Sequence, residues 1–166
     1  MSIERVRDFF RSLHMEDQIM EFDVSSATVE LAAQAIHCEP ARIAKSISFS
    51  LNGKSILIVT SGDAKIDNRK YKERFGIKPK MLSPEETLEQ IGHSVGGICP
   101  FGINEGVSVC LDISLKRFTS VFPACGSSNS AIELTLPQLE KYIDHSGWVD
   151  VCKNWTAEEE AGRVQP

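Results

Sequence analysis

No run of apolar residues in this chain approaches the roughly 20 needed to cross a bilayer as a helix, and its opening stretch, MSIERVRDFFRS, is polar and amphipathic. That pattern fits neither a secretion signal nor a membrane anchor, so the cytoplasm is the expected location and no membrane partner is expected. Basic charge is also short: 18 Lys and Arg stand against 23 Asp and Glu, a formal net charge of −5. A protein that grips a long nucleic-acid backbone ordinarily carries a basic surface, because neutralised phosphates supply much of the affinity. The balance argues against long backbone contact, while contact with the end of a nucleic acid, where few phosphates count, stays open. Cysteine pairing is missing as well. Cys38, Cys99, Cys110, Cys125 and Cys152 are odd in number and widely spaced, with no C-x-x-C. They suggest neither a disulfide framework nor a zinc site and read as small core residues. His14, His37 and His145 make no metal-ligand spacing, and no metal is expected.

What is present fits one soluble globular domain: 166 residues, 42% hydrophobic and 25% charged, with no repeat and no linker. The expected domain covers residues 1–155, and residues 156–166 read as an acidic tail that is frayed or disordered. A first helix is expected from Ser2 as N-cap, with Ile3, Val6, Phe10 and Leu13 on one stripe. A second starts near Ser26 or Thr28, and Pro40 suits a short third helix over 41–44. KSISFSLNGKSILIVTS predicts two strands joined by a type I′ turn at Asn52-Gly53. That turn pairs Leu51 with Lys54, Phe49 with Ile56, Ile47 with Ile58 and Lys45 with Thr60. Lys45 then ends an apolar row of Ile47, Phe49, Ile56 and Ile58. Asp67 and the Ser83-Pro84-Glu85-Glu86 capping box open two further helices, the second turning Leu88 and Ile91 inward and ending at Gly92. GVSVCLDISL, TSVFPAC and SAIELT predict three more strands, followed by a helix from Thr135. Helices interspersed with an early hairpin indicate a mixed α/β fold: a mixed, mostly antiparallel sheet covered by helices.

Chemistry has few candidates. HSVGGICPFG, residues 93–102, is rich in glycine and almost free of charge. Glycine lets a ligand approach the main chain and permits positive φ, so successive N–H groups can converge on an anion or a polarised carbonyl. No Gly-Lys-Ser/Thr follows, so the loop is not a phosphate-binding P-loop; the plain alternative is a tight connector. Lys45 either snorkels along the apolar row or offers a cation at a pocket mouth. His93 and Cys99 could form a thiol–imidazole pair, although no third orienting group is evident. Asp112 reads as a strand terminator, and Asp63 and Asp67 as turn and cap residues.

Taken together, Thr28–Ala33, Arg42-Ile43-Ala44-Lys45-Ser46, Ser61-Gly62-Asp63, Gly96-Gly97-Ile98-Cys99-Pro100-Phe101-Gly102, and Gly126 before Ala131–Leu134 resemble the YbaK family. These are free-standing relatives of the editing domain inserted in bacterial prolyl-tRNA synthetase, and the resemblance spans roughly residues 25–143. It implies a compact mixed α/β fold and hydrolysis of mischarged aminoacyl-tRNA, a translation-fidelity activity. The implied partner is the 3′ acceptor end of the tRNA, with a synthetase as a further candidate, and no cofactor is implied. The family lysine matches Lys45 and its G-x-x-x-P motif matches Gly96 to Pro100. By that resemblance Lys45, Gly96 and Gly97 are the catalytic candidates, and Pro100, His93 and Gly126 join them in substrate binding. Members usually carry serine at the position of Cys99, which opposes a thiol nucleophile. An editing pocket selects by size, so alanine, serine, threonine or cysteine are the expected amino acids. A module of the same fold that holds tRNA without turning it over is the alternative.

Overall fold

The computed structural model describes residues 2–156. Five α-helices, α1 (Ser2–Ser12), α2 (Val29–Ile36), α3 (Asn68–Phe75), α4 (Pro84–Gln90) and α5 (Leu136–Tyr142), surround the strands. The first five strands are β1 (Met20–Glu21), β2 (Ile43–Leu51), β3 (Lys54–Ser61), β4 (Lys65–Ile66) and β5 (Ser108–Asp112). The remaining five are β6 (Ser120–Pro123), β7 (Ser130–Ala131), β8 (Leu134–Thr135), β9 (Trp148–Val149) and β10 (Cys152–Lys153). Six of them form the main sheet in the order β8-β6-β2-β3-β5-β9; β1 pairs with β7 and β4 with β10 in two small antiparallel ladders.

The β2–β3 hairpin organises everything else. Asn52 and Gly53 both have positive φ, 52° and 79°, as a type I′ turn demands, and the register is Leu51↔Lys54, Phe49↔Ile56, Ile47↔Ile58 and Lys45↔Thr60. The sheet is mixed: β2–β3 and β6–β8 are antiparallel, whereas β6 joins β2, β5 joins β3 and β9 joins β5 in parallel. Side-chain alternation sends Leu57 and Val59 to one face with Val6 and Phe10 of α1 and Leu139 of α5. Ile56 and Ile58 go to the other face with Phe49, Val151 and Tyr71 of α3. Both faces are therefore covered, and a third cluster of Ala32, Ala33, Ile43 and Phe122 seats α2 beside β2 and β6.

Caps fall where their side chains can reach. Thr28, Asp67, Ser83 and Thr135 each accept from main-chain N–H groups of the first turn, and Glu86 and Gln138 complete two capping boxes. Four details differ from the sequence expectation. Ser2 lies inside α1 instead of capping it, and its hydroxyl donates to the Gly126 carbonyl at 2.6 Å. The short third helix is a 3₁₀ turn over Pro40–Arg42, because Ile43 and Ala44 are already paired with Phe122 and Pro123. Leu88 is 52% exposed; Thr87 and Ile91, one turn apart, form the buried stripe, and a neighbour 100° around the helix falls off it. SAIELT splits, Ser130–Ala131 pairing with β1 and Leu134–Thr135 with β6. Most of the expected tail lies outside the described residues.

Candidate functional site

A cavity of about 280 Å³ opens where β2 meets α2, β6 and the glycine-rich loop. Its floor is the start of β2, Ile43 to Ser46. A lip runs from Ser26 to Val29; Val95, Gly96 and Ile98 form one wall, and Phe122, Ala124, Ser130 and Ala131 the other. The lip is tied down by main-chain bonds from Ser26 to Ser128 (2.7 Å) and from Phe22 to Asn129 (2.8 Å). Arg42 braces the far wall, with its guanidinium over the Phe122 ring and bonds to Ser120 and Glu133.

The floor has an unusual property for a sheet. The ladder with β6 ends at Ala44↔Pro123. Farther along, the same edge of β2 is covered again, Ser50 donating to the Lys80 carbonyl (2.8 Å) and Ser48 accepting from Leu82 N–H (3.1 Å). Even-numbered residues of β2 thus turn their main-chain groups away from β3, because N–H and C=O of one strand residue share a side and alternate along the chain. Ser46 is the even-numbered residue in the gap, so its N–H and C=O face the uncovered edge.

Lys45 and Ser46 leave β2 to opposite faces at that gap. Lys45 is half-buried and borders both the cavity and an adjoining groove formed by Ile47, Phe49, Lys65, Ile66, Asn68, Pro79 and Met81. Among the described residues its ammonium has no hydrogen-bond or ion-pair partner. Burial lowers its pKa below the ordinary lysine value; the neighbouring ammonium of Lys65 adds to the effect, and Asp63 and Glu30 oppose it.

Of the sequence-predicted site residues, the structure brings Lys45 and Gly96 to the cavity and places the others around it. Gly96 has φ 99°, and no main-chain acceptor among the described residues takes its N–H or that of Ile98. Gly97 is buried behind the wall. Its N–H is donated to the Ser94 carbonyl at 3.0 Å, so it is not a free donor. A Cβ there would stand 2.7 Å from the main chain of Gly126 and Ser127, so close backbone approach is what this glycine serves. Gly126, φ 89°, plays the same part against Ser2, and Pro100 is buried off the cavity.

His93 and Cys99 do come together, Nε2 and Sγ 3.6 Å apart, but both are fully buried and both engage the Phe101 carbonyl. Burial pushes the Cys99 thiol up to about 12, opposite to what a nucleophile needs, and lowers the His93 pKa. His93 therefore presents no surface to a substrate. Asp112 closes β5 and accepts from Ser114 and Val151 N–H groups, a structural role. No group of three or more His, Cys, Asp or Glu able to hold a metal occurs among the described residues. Ser26 enters the sequence reading only as a possible helix start and Ser46 only within the Arg42–Ser46 segment, and neither as a residue of this cavity. Their signal is the uncovered stretch of a strand and the lip opposite it, both products of tertiary pairing.

A mixed α/β domain in which helices cover a sheet of parallel and antiparallel strands is the fold shared with structures of the aminoacyl-tRNA editing domain family. The chain belongs to that family, whose model matches residues 24–142. It is 54% identical over 156 residues to the uncharacterized protein YwhH of Bacillus subtilis, a match covering 93% of this chain and 99% of that one. Proline–tRNA ligase of a Geobacillus species is 26% identical over 102 residues, 61% of this chain but only 18% of the ligase. A crystal structure described provisionally as a trans-editing enzyme for prolyl tRNA synthetase superposes with a TM-score of 0.82 at 26% identity, covering 92% of this chain and 97% of that one.

Proposed function

We propose that the protein is a trans-acting deacylase that clears a small, wrongly attached amino acid from the 3′ end of a tRNA, with tRNA for proline as the first candidate. Family membership supports aminoacyl-tRNA editing in general, and the likeness to a prolyl trans-editing structure and to proline–tRNA ligases supports the choice of tRNA. The observation that carries the catalytic reading is that one small cavity is lined by Lys45, by Ser46 on an uncovered strand edge and by Gly96 and Ile98, whose ammonium and N–H groups have no partner among the described residues.

In this reading the aminoacyl group enters the cavity. N–H groups of Ser46, Gly96 or Ile98 stabilise the oxyanion that develops as water adds to the ester carbonyl carbon, a contribution of about 2.7–4 kcal/mol per well-placed donor. Collapse of that intermediate breaks the bond from carbonyl carbon to ribose oxygen, giving free amino acid and a 3′-terminal hydroxyl. No carboxylate or imidazole lines the cavity among the described residues, so the substrate's own ribose hydroxyl or amine takes the water's proton. Lys45 holds the terminal phosphate or orients the terminal adenosine.

The route of the acceptor end follows from charge. Residues 65–80 carry seven basic and two acidic side chains in a chain whose net charge is −5. Lys65 lies in the groove that adjoins Lys45, and the incoming strand passes over that basic segment. Incubation with a panel of mischarged tRNAs, measuring amino acid release, tests the proposal. Release from at least one pair is expected; tight binding without release from any pair replaces the deacylase with a binding module.

A further inference from the structure

The face of β2 that carries Lys45 is only partly covered. Phe49, Ile56 and Ile58 pack beneath α3, with the Phe49 and Tyr71 rings 5.1 Å apart. A groove of about 500 Å³ stays open between residues 65–68 and 79–81. Register aims its side chains inward. Lys45, Ile47 and Phe49 alternate onto one face of the strand, and Met81 is bridged to Phe49, which sets those two side chains on the same side. Main-chain bonds hold the backbone on either side of Met81, Ser50 N–H to Lys80 and Leu82 N–H to Ser48, yet Met81 itself is 65% exposed. With the half-buried Ile47 and Pro79 its thioether makes an apolar shelf on fixed backbone.

Two ammonium groups share this groove. Lys45 and Lys65 both line it, and neither has a hydrogen-bond or ion-pair partner among the described residues. Burial lowers the Lys45 pKa first, and the nearby Lys65 ammonium adds to the effect. The carboxylates in reach are already engaged: Asp63 pairs with Arg117 at 2.6 Å, and Asp67 caps α3. No carboxylate lines the groove, so the two like charges call for an anion between them. An apolar shelf with a polarisable sulfur beside a pair of cations suits a flat base joined to a phosphate. An extended peptide would add to an open strand border, and the border of β2 beside this groove is already taken by residues 80–82.

We infer that this groove holds the nucleotide preceding the terminal adenosine, its base on the shelf of Ile47, Pro79 and Met81 and the phosphate joining the two nucleotides between Lys45 and Lys65. The inference rests on the reading above that the acceptor end enters the cavity. Lys45 borders both spaces, so a chain that passes it places its ester in the cavity and the nucleotide behind in the groove. The groove is the larger of the two, about 500 Å³ against 280 Å³, in keeping with a base in one and a small aminoacyl group in the other. Such a shelf takes an unpaired base by its flat face, as single-strand sites do.

The test measures equilibrium binding by the full chain of two probes, adenosine 5′-monophosphate and the dinucleotide cytidylyl-3′,5′-adenosine. Both carry a phosphate on adenosine, and only the second carries the preceding base. The dinucleotide is expected to bind about fivefold more tightly or better. Met81→Glu and Lys65→Ala each reduce that preference about threefold or more, whereas Met81→Leu, which keeps an apolar shelf, retains it. Met81 and Lys65 are both exposed, so the three variants are expected to fold, with thermal midpoints close to that of the wild type. Equal affinity for the two probes, or a preference that survives both Met81→Glu and Lys65→Ala, overturns the groove as a nucleotide site and leaves the deacylase standing. An intact preference in a chain that releases amino acid from no mischarged tRNA overturns the deacylase and leaves the groove standing, so the two readings fail separately.

Discussion

At the scale of single residues, Lys45 combines a lowered pKa with the lack of any ion-pair partner among the described residues. Lys45→Ala is expected to cut kcat/KM for deacylation about 100-fold, the size seen when a preorganised charge or donor is removed. The thermal midpoint should hardly move, because no partner is orphaned. The pH dependence has a definite sign. With the folded pKa below the unfolded one, the unfolded chain holds more protons in the window between them, so stability rises with pH there. Affinity for a non-hydrolysable aminoacyl-adenosine phosphate falls over the same window as the ammonium discharges. Titrating both in the wild type and in Lys45→Arg checks this: the arginine keeps its charge and should flatten both slopes. Cys99→Ser should retain activity, since the thiol is sealed off and held protonated; loss of release by a folded variant would restore the thiol as nucleophile. Lys45 and Gly96 were legible in the sequence because a lysine ending an apolar row and a cluster of glycines break a local pattern. The place of Ser26 and Ser46 on the cavity lining was not, because serine is unremarkable in any strand or loop until its neighbours are known.

Secondary elements were read best where local chemistry dictates them. Asn52-Gly53 determined the hairpin register because few dipeptides adopt two consecutive positive φ values, and the capping box at Ser83 and the Thr135-Leu136-Pro137-Gln138 stretch located two helix starts. Strands of two residues, such as Met20–Glu21 and Cys152–Lys153, escaped because no periodicity can show in so short a span. Leu88 was misplaced because a seven-residue helix offers too few turns to define a stripe. The glycines separate two kinds of constraint that sequence cannot tell apart. A Cβ at Gly53 meets nothing within 4 Å, so Gly53→Ala pays only for its left-handed backbone, about 1–2 kcal/mol, with kcat/KM unchanged. Gly97→Ala would drive a methyl into the main chain of Gly126 and Ser127, moving the loop. Chemical denaturation with parallel kinetics should show it losing stability and turnover together.

Across the whole molecule, net charge proved a poor guide to local potential. Averaging to −5 hides the basic run from Lys65 to Lys80, of which Lys65 lines the groove that Lys45 also borders. Turnover of charged tRNA should therefore weaken with salt. A log–log slope of about −1 to −3 is expected for a few phosphates, in place of the slope near −10 of extensive duplex binding. Lys65→Glu should depress kcat/KM for tRNA while sparing a minimal aminoacyl-adenosine substrate, a comparison that isolates the incoming strand from the ester. The interrupted border of β2 has one more implication. Exposed strand borders invite neighbouring molecules to add on and seed fibres. Here the opening spans only the residues between Ala44 and Ser48, flanked by chain on either side, and leaves no room for a foreign strand to register. The molecule can thus keep reactive peptide groups on display without becoming adhesive, and it admits a guest no larger than the end of a chain.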